Sequence, residues 1–452
     1  MQFPPAFVER IQHQFPQDFE AFFAALDAEA YTSIRLNSHK NKETTSLQSV
    51  PWSSRGFYLP IRPQFTLDPT FHAGAYYVQE ASSMFLDTVL EHIKKDVSLD
   101  RVLDMCAAPG GKSTLILDHL TENQFLIANE IVDNRNAILR ENLTKWGFPN
   151  FAVTQNDAKH FGQMTDYFDA IFVDAPCSGE GLFRKDEKAR AEWTPENVQK
   201  CSIRQMDILE NIWEGLKPNG YLIYSTCTYN PEENETLLYR FKQKGYEFES
   251  IEISLDPSWN ITKVDVNGIM GYAFLPHKTK GEGFFCSVLK KTSNVEAKNW
   301  TAARIIEKNE WIEKYIQPQN IYHYTSFSFQ ESIAIVPKDL LAQLGHLRKH
   351  LYFKQFGLPI GSEMKGDFIP DQGLALCSLL DLDKVSKHEV SKYEALQFLS
   401  KEAFDTSSLP FGFILLIHNN ISLGWIKNIS GRHNNLYPKS WRILMDWKSR
   451  MQ

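Results

Sequence analysis

Several features that define other classes of protein are missing from this sequence. Its six cysteines include no C-x-x-C pair, which argues against a zinc ribbon or a disulfide framework and favours reduced thiols. We therefore expect a cytoplasmic protein that binds no metal. No apolar run approaches the roughly 18 residues that a membrane span requires. The start of the chain lacks the basic and apolar segments of a secretory signal, and internal repeats and low-complexity tracts are also absent.

A positive charge excess, which would indicate a nucleic-acid partner, is missing as well. The formal net charge is −7, with 43% apolar and 23% charged residues, which is ordinary for a globular protein. Overall charge is a weak guide to nucleic-acid binding, because binding depends on where the basic groups lie. At about 150 residues per domain, a chain of 452 residues predicts two to four domains.

Changes of pattern along the chain predict four regions. They are a smaller N-terminal α+β unit, an α/β unit, a linker with a middle α+β region, and a C-terminal α+β region rich in strands, at residues 1–95, 96–292, 293–380 and 381–452. The first region has a helical pattern from Phe7 to Leu26 and an amphipathic helix pattern from Glu80 to Lys95. In the last region, Asn419-Asn420 separates two apolar runs, which predicts a hairpin.

The second region alternates strand and helix patterns. Five short apolar runs predict strands, at residues 101–105, 125–128, 151–154, 170–173 and 221–224. Helical patterns fill the gaps, notably from Asp133 to Trp146 and from Pro195 to Leu216, the second with Thr194 as its N-cap. This alternation predicts a parallel sheet with helices on both faces.

The loop after the first of these strands is predicted to bind a cofactor. It runs Asp104-Met-Cys-Ala-Ala-Pro-Gly-Gly-Lys-Ser113, and its small residues let the backbone approach a ligand beside the free N–H groups of the next helix. A phosphate-binding P-loop would need a glycine where Cys106 stands, and the G-x-G-x-x-G fingerprint of dinucleotide sites is absent. A nucleoside cofactor without phosphate, such as S-adenosylmethionine, fits better.

Acidic residues follow three successive predicted strands. Glu130 ends the second strand, where a carboxylate accepts hydrogen bonds from ribose hydroxyls in related nucleotide folds. Asp157 and Asp174 follow the next two strands, at positions suited to contact the adenine and the reacting end of the cofactor. Any one of them alone could be a solvated loop residue, but three in succession favour a cofactor site.

Two cysteines stand at the ends of two predicted strands. Cys177 follows Phe172-Val-Asp-Ala-Pro176, and Cys227 follows Ser225-Thr226. A thiolate is a soft nucleophile whose reactivity depends on its pKa, whereas most free cysteines are buried and inert. The inert interpretation suits three others, Cys201, Cys286 and Cys377. The positions of Cys177 and Cys227 favour a pair that faces one pocket, with one thiol attacking and the other helping.

Such a pair suits chemistry at carbon 5 of a pyrimidine. Addition of a thiolate to carbon 6 makes carbon 5 nucleophilic enough to attack an electrophilic methyl group, and loss of a proton with expulsion of the thiolate restores aromaticity. The reaction needs a thiol, a partner for ring N3 and an acid or base for release. Asp174, Cys177 and Cys227 supply these groups, provided that Asp174 is protonated or binds the exocyclic amine.

Three segments together resemble the signature motifs of the Sun-type RNA (cytosine-5) methyltransferases. They are the cofactor loop, Asp174-Ala-Pro-Cys-Ser-Gly-Glu-Gly181 and Ser225-Thr-Cys-Thr-Tyr-Asn-Pro-Glu-Glu-Asn234. The resemblance implies a Rossmann-like methyltransferase domain that uses S-adenosyl-L-methionine, with Cys227 as the nucleophile and Cys177 assisting product release. It implies a cofactor site made of Cys106, Ala107, Ala108, Pro109, Gly110, Gly111, Lys112, Glu130, Arg135, Asp157 and Asp174.

The flanks resemble the bacterial branch of this family that methylates 16S ribosomal RNA. Residues 71–84, from Phe71 to Met84, are similar to the segment that precedes the cofactor domain in the family as a whole. Gly179-Glu-Gly-Leu-Phe-Arg-Lys-Asp186 and Lys280-Gly-Glu-Gly-Phe-Phe285 are similar to segments of that branch, and the end of the chain is similar to its PUA-type RNA-binding extension. This implies a monomer whose partner is ribosomal RNA or the assembled small subunit. A transfer-RNA methyltransferase and a ribosome assembly factor without activity remain alternatives. A DNA methyltransferase fits less well, because it attacks with the Pro-Cys cysteine.

Basic residues in two places are predicted to bind the RNA. They are Arg184 and Lys185 after the Pro-Cys motif, and Lys427, Lys439 and Arg442 near the end of the chain. Aromatic residues are interleaved with the second group, namely Trp425, Tyr437, Trp441 and Trp447. These rings either stack on unpaired bases or form the core of a small β domain.

Overall fold

The computed structural model describes residues 3–40, 46–292, 298, 300, 310–429 and 432–450. Within these residues the strands form one sheet of ten strands and three sheets of four strands. Part of the predicted linker, residues 293–297, 299 and 301–309, lies outside the described residues. None of the described helices has the length and hydropathy that a bilayer crossing requires.

The N-terminal elements are short helices around a four-stranded antiparallel sheet. They are α1 Pro5–Gln14, α2 Phe19–Asp27, β1 Thr32–Leu36, β2 Gln48–Ser49, β3 Gly56–Leu59, α3 Pro69–His72, β4 Tyr76–Val78 and α4 Leu86–Ile93. The helical pattern predicted from Phe7 to Leu26 is present but is divided between α1 and α2. Pro16 disfavours helical dihedrals at the preceding residue, and Phe15 has φ −131° and ψ 60°. The predicted helix from Glu80 begins later, after a 3-10 turn at Ser82–Phe85.

The central unit is a large sheet covered by helices. Its elements are β5 Arg101–Asp104, α5 Gly111–His119, β6 Phe125–Asn129, α6 Asp133–Trp146, β7 Phe151–Thr154, α7 Ala158–Gly162, β8 Phe168–Asp174, α8 Glu187–Glu192, α9 Pro195–Ile212, β9 Leu216–Thr226, α10 Glu235–Gln243, β10 Phe248–Ser250, β11 Thr262–Val266, β12 Ile269–Phe274 and β13 Phe284–Lys291. Strands β5 to β9 are the five predicted strands, and they run parallel. Helix α6 has the predicted bounds, and Thr194 caps α9 as expected.

The order of the parallel strands is β9-β8-β5-β6-β7. The chain therefore winds outward from β5 in both directions, which is the Rossmann-like arrangement, and the carboxyl ends of all five strands meet at one edge of the sheet. Open α/β sheets bind their ligands at this edge, where the strand order reverses. The predicted parallel sheet is only part of the whole, because β13 pairs antiparallel with β9 and β12 pairs antiparallel with β13.

The third part of the chain also contributes a strand to the central sheet. Its elements are α11 Glu310–Tyr315, β14 Tyr324–Phe329, β15 Ser332–Pro337, α12 Lys338–Leu347, β16 Phe353–Phe356, β17 Leu358–Met364, β18 Asp367–Pro370 and α13 Gln372–Leu376. Strands β14, β15, β17 and β18 form their own sheet. Strand β16 instead pairs antiparallel with β7 and closes that edge of the central sheet.

The last part of the chain forms a small sheet with one helix. Its elements are β19 Lys387–Glu389, α14 Lys392–Leu399, β20 Gly412–His418, β21 Ile421–Ile429 and β22 Arg432–Asn435. The predicted hairpin is confirmed: β20 and β21 pair antiparallel, and Asn419 and Asn420 have the positive φ angles of 50° and 61° that its turn requires. Three of the four aromatic rings predicted either to stack on RNA or to form a core are core residues, because Trp425, Tyr437 and Trp447 are buried.

Candidate active site

Two thiols meet where β8 and β9 end. Cys227 directly follows β9, and Cys177 lies three residues beyond the end of β8. Their Sγ atoms are 3.0 Å apart, and the backbone N–H of Cys227 donates a hydrogen bond to Cys177 Sγ at 3.3 Å. The hydrogen bond with Cys227, together with burial, raises the pKa of Cys177 well above its usual value. Cys177 therefore keeps its proton at neutral pH and can donate it toward Cys227.

A buried carboxylate, which the sequence analysis did not single out, holds the loop that carries Cys177. Glu233 Oε2 accepts hydrogen bonds from the backbone N–H of Ser178 at 2.9 Å and from Gln205 Nε2 at 3.0 Å. Ser178 Oγ donates to the other oxygen of the same carboxylate. Burial raises the pKa of Glu233 to about 7. Glu233 belongs to the Asn-Pro-Glu-Glu segment of a recognised motif, but its burial was not readable from the sequence.

Asp174 ends β8 and forms an ion pair with the lysine of the cofactor loop. Lys112 Nζ lies 2.8 Å from Asp174 Oδ2, and Ser225 Oγ donates to Asp174 Oδ1 at 2.9 Å. Burial disfavours the charged form of Lys112, but attraction to Asp174 outweighs it and raises the pKa of Lys112. The ion pair thus links the cofactor loop to the strand that leads to Cys177.

A cavity of about 360 Å³ opens in front of these groups. It is lined on one side by Cys227, Asp174 and Lys112, and on another by Cys106 to Pro109 of the cofactor loop. Its remaining wall comes from segments outside the parallel strands, namely Tyr77 to Glu80, Gly181, Leu182, Lys185 and Glu282 to Phe284. The nucleophile candidate and the cofactor loop therefore share one space, which is large enough for a small flat ring.

The cofactor loop has the compact form that its small residues predict. Gly110 has φ +112°, a conformation that favours glycine, and α5 begins at the next residue. Arg135 Nη2 donates to the carbonyl oxygen of Ala108 at 2.8 Å, and Arg135 Nη1 lies 3.3 Å from Glu130 Oε2. These contacts bring Arg135 and Glu130 beside the loop.

The three acidic residues lie at the same edge of the sheet but have different surroundings. Glu130 is buried and accepts a hydrogen bond from the backbone N–H of Val132 at 2.9 Å. Asp157 is exposed and caps α7 by accepting from the N–H of Lys159. Asp174 lines the cavity, whereas Glu130 and Asp157 stand outside its lining, toward β6 and β7. A ligand that reaches all three must extend along the strand ends.

The residues at this edge fit S-adenosylmethionine. Asp104 lines the cavity, and its Oδ1 atom is buried without a hydrogen-bond partner in the part of the chain that the structure describes. Burial raises the pKa of Asp104 to about 7. Directly after Glu130, the apolar side chains of Ile131 and Val132 are exposed. The carboxylates can accept hydrogen bonds from the hydroxyl and amino groups of the cofactor, and the apolar side chains can pack against its adenine. No cluster of metal-binding side chains occurs among the described residues.

The predicted RNA contacts divide into those at the cavity and those in the C-terminal sheet. Lys185 lines the cavity and lies 3.4 Å from Glu282 Oε1. The side chain of Arg184 is 1% exposed and pairs with Glu282 at 3.3 Å, so it faces a buried carboxylate and not an RNA surface. Lys439 and Arg442 are exposed, and Lys427 Nζ lies over the ring of Phe413 at 5.1 Å. Among the described residues that line the cavity, none belongs to this second group.

The other cysteines have the surroundings of inert thiols. Burial raises the pKa of Cys106, although this residue lines the cavity. Cys286 and Cys377 are buried, and Cys201 is half-buried on α9. Burial also raises the pKa of Cys201 to about 11. A thiol that keeps its proton is a poor nucleophile, so Cys227, which lines the cavity, remains the candidate nucleophile, and Cys177 beside it remains the candidate proton donor.

Three family models match the chain in order. Residues 3–81 match the N-terminal domain of 16S rRNA methyltransferase RsmF, residues 91–290 match 16S rRNA methyltransferase RsmB/F, and residues 385–443 match the methyltransferase RsmF PUA domain.

Curated relatives carry a matching name. Ribosomal RNA small subunit methyltransferase F of Erwinia tasmaniensis is 27% identical over 97% of this chain and 96% of that protein. The protein of the same name from Aliivibrio fischeri is 34% identical over 64% of each chain.

Solved structures of similar fold come from Pyrococcus horikoshii. A methyltransferase homologue has a TM-score of 0.52 at 26% identity, covering 64% of this chain and 99% of that one. NSun6 with SFG has a TM-score of 0.53 at 20% identity, covering 65% and 99%.

Proposed function

The chain belongs to the RsmB/F family of 16S rRNA methyltransferases, and on this premise we propose that it methylates carbon 5 of a cytosine in 16S ribosomal RNA. The observation that carries the proposal is the pair of thiols, 3.0 Å apart, of which Cys227 lines a cavity that the cofactor loop also lines. A methyltransferase that acts on an oxygen or an exocyclic nitrogen has no need for a nucleophilic thiol. Carbon 5 of a pyrimidine does need one, because the ring must be activated first.

Cys227 is the nucleophile in this proposal. Cys227 loses its proton to water and its Sγ forms a bond to carbon 6 of the cytosine, while the electrons of the carbon 5–carbon 6 double bond make carbon 5 nucleophilic. S-adenosylmethionine, when bound, would supply an electrophilic methyl group to carbon 5, with S-adenosylhomocysteine as the leaving group. The proton on carbon 5 then leaves to water, the carbon–sulfur bond breaks, and Cys227 recovers its electron pair as the ring becomes aromatic again.

Cys177 is proposed to assist the last step. Its thiol keeps its proton and lies within hydrogen-bonding reach of Cys227 Sγ. A hydrogen bond from Cys177 stabilises the negative charge that returns to Cys227 as the bond to carbon 6 breaks. Glu233 supports this role by fixing the adjacent Ser178. Asp174 is proposed to meet the base at its exocyclic amine, because it lines the cavity with Cys227 and its carboxyl oxygens can accept a hydrogen bond from that amine.

The cofactor is proposed to lie along the ends of β5 to β8. The loop Cys106 to Lys112 would hold its amino-acid part, Glu130 its ribose and Asp157 its adenine. Asp104, with one unpartnered oxygen at the cavity, would accept a hydrogen bond from the ammonium group. Arg135 would position Glu130 and Ala108, which it already contacts.

RNA is proposed to enter over the opening of the cavity, with the target base turned out of any helix so that Cys227 can reach carbon 6. Lys185 at the cavity, and Lys439 and Arg442 after the last strand of the C-terminal sheet, would contact phosphates. The match of residues 385–443 to a PUA domain supports a division into an N-terminal unit, a catalytic unit, a middle region and a C-terminal RNA-binding unit.

Bisulfite sequencing of ribosomal and transfer RNA tests the proposal. Cells that lack this protein should lose one protected cytosine in 16S rRNA. Wild-type protein should restore it, and Cys227→Ala should not. A change confined to transfer RNA would favour the alternative substrate. If no RNA changes and calorimetry detects no S-adenosylmethionine binding, a role as a non-catalytic assembly factor would be favoured.

A further inference from the structure

A strand from outside the matched catalytic segment, residues 91–290, reaches the cofactor edge of the central sheet. Strand β16 pairs with β7 so that Phe353 faces Thr154, the last residue of β7. Tyr352 therefore lies alongside the residues that follow β7. Asp157, the proposed adenine contact, lies three residues beyond Thr154.

Three hydrogen bonds fix the backbone of Tyr352 to this loop. Its carbonyl oxygen accepts from the backbone N–H of Gln155 at 3.2 Å and from Asn156 Nδ2 at 3.1 Å. Its own N–H donates to Asn156 Oδ1 at 2.9 Å. Asn156 is itself buried. The position of Tyr352 relative to Asp157 is therefore determined by a buried side chain and not by a free loop.

The ring of Tyr352 lies near a lysine that contacts the start of α6. Lys354 Nζ lies 5.5 Å from the ring centroid of Tyr352 and binds Asp133 Oδ1 at 3.0 Å. Asp133 begins α6, directly after Ile131 and Val132. Lys354 therefore connects the ring of Tyr352 to the loop that follows β6.

Apolar surface is concentrated around this ring. The exposed fraction is 58% for Tyr352, 56% for Ile131 and 44% for Val132. Gln155 Nε2 donates to the carbonyl oxygen of Ile131 at 2.9 Å and so joins the loops that follow β6 and β7. Exposed apolar side chains from two segments, next to Glu130 and Asp157, form a surface suited to a flat aromatic ring with polar groups at its edges.

We propose that Tyr352 packs against the adenine ring of bound S-adenosylmethionine, so that the region after the catalytic unit completes the cofactor site. The inference rests on the proposed function only through the identity of the cofactor. Tyrosine suits this role because aromatic rings attract one another beyond the area they bury. The carboxylates beside it would receive the amine and the hydroxyl groups of the nucleoside.

Calorimetry of S-adenosylhomocysteine binding to the full-length protein tests the contact. Tyr352→Ala should weaken binding about three- to tenfold, whereas Tyr352→Phe, which keeps the ring, should bind within twofold of wild type. Tyr322→Ala is the matched control, because Tyr322 is 80% exposed and precedes β14, outside the proposed site. The backbone hydrogen bonds of Tyr352 do not need its side chain, so these variants should unfold at wild-type temperatures.

Titration with 5′-methylthioadenosine, which has the adenosine part but no amino-acid part, locates the contact. Tyr352→Ala should weaken the binding of both ligands by the same factor. The inference would be overturned if Tyr352→Ala bound S-adenosylhomocysteine as tightly as wild type. It would also be overturned if the substitution weakened binding of S-adenosylhomocysteine but not of 5′-methylthioadenosine. If Tyr352→Ala does not fold, Tyr352→Leu takes its place and should also bind more weakly than Tyr352→Phe. Failure of wild-type protein to bind S-adenosylhomocysteine would instead reject the proposed cofactor.

Discussion

Cys177 Sγ lies 3.0 Å from Cys227 Sγ, although fifty residues separate them in the chain. Parallel strands β8 and β9 bring them together, because neighbouring parallel strands end at the same edge of the sheet. Ionisation of one of two thiols this close disfavours ionisation of the other, since two adjacent negative charges repel each other. The hydrogen bond with Cys227, together with burial, raises the pKa of Cys177. This direction supports the roles proposed for the two cysteines, with Cys227 attacking and Cys177 keeping its proton to assist release.

Replacing each cysteine separately with alanine should test these roles. Each variant is incubated with 16S rRNA and S-adenosylmethionine, and covalent protein–RNA complexes are detected on a denaturing gel. Cys177→Ala should accumulate a covalent protein–RNA complex, because the bond to carbon 6 forms but its release lacks the hydrogen bond from residue 177. Cys227→Ala should form no complex and no methylated product. Cys201→Ala, at a half-buried position on α9, is the control and should behave as wild type. Adduct formation by Cys227→Ala but not by Cys177→Ala would reverse the assignment.

A side chain at Gly181 should damage both the fold and the active site. Its N–H donates to the carbonyl oxygen of Cys227 at 2.8 Å, and an added Cβ would lie 2.4 Å from the backbone oxygen of Gly283 and 2.9 Å from that of Cys227. Because backbone atoms cannot move aside cheaply, Gly181→Ala should lower the free energy of unfolding by about 1–3 kcal/mol and reduce adduct formation.

Gly345→Ala is the matched control for that substitution. A Cβ at Gly345 meets no atom within 4 Å, and the residue lies within α12, so alanine should stabilise the protein by up to about 1 kcal/mol. Urea unfolding of both variants measures the difference. Equal stabilities for the two variants would mean that the loop around Gly181 adjusts freely, contrary to the close contacts of its backbone.

The sequence was most informative where one local pattern determines one element. Strands β5 to β9 and helix α6 follow from apolar runs and helical periodicity, and the hairpin follows from Asn419-Asn420. The Pro-Cys and Thr-Cys motifs indicated the two thiols, because their positions at strand ends need only the order of strand and turn. The Pro-Gly-Gly turn indicated the cofactor loop for the same reason.

The sequence was least informative where a contact joins distant segments. The burial of Glu233 depends on how its loop meets Ser178, and the ion pair of Arg184 depends on Glu282, almost a hundred residues later. The pairing of β16 with β7 joins residues about two hundred positions apart. No local pattern encodes such contacts, so they appear only when the packing of the whole chain is known.

The contact between the N-terminal sheet and the catalytic unit should depend strongly on Arg35. Its side chain is 2% exposed and pairs with Asp118 on α5. It also donates to Thr114 at 2.6 Å and lies over the ring of Trp146 at 4.5 Å. Arg35→Met would leave the Asp118 carboxylate without its cation, so we expect a loss of about 3–5 kcal/mol in the free energy of unfolding.

Lys263→Ala provides the comparison for Arg35→Met. Lys263 and Glu252 also form an ion pair, but their side chains are 43% and 62% exposed. Water and salt screen such a pair, so its removal should leave the urea midpoint unchanged. If Lys263→Ala lowered the free energy of unfolding as much as Arg35→Met does, burial would not be the reason that the Arg35 ion pair stabilises the fold.

The buried carboxyl group of Asp104 should make stability fall as pH rises. Its pKa in the folded protein is about 7, against an ordinary value of 3.8, so between these values the folded state holds a proton that the unfolded state has lost. The stabilisation from the neutral carboxyl is complete below about pH 4 and declines as pH rises toward 7. This difference between the two pKa values of Asp104 corresponds to at most about 4 kcal/mol in the free energy of unfolding.

Asp104→Asn isolates this contribution, because asparagine imitates the neutral form and can still accept the hydrogen bond that Ser113 donates to Asp104 at 2.6 Å. Urea unfolding at several pH values from 5 to 8 should show the variant gaining on wild type as pH rises, with the gain levelling off above about pH 7. Asp367→Asn, at an exposed position in β18, is the control and should follow wild type. Parallel curves for wild type and Asp104→Asn would mean that Asp104 is already ionised in the folded protein. In that case its unpartnered oxygen would carry a full negative charge at the cavity, and the ammonium group of the cofactor would be held by an ion pair instead of a neutral hydrogen bond.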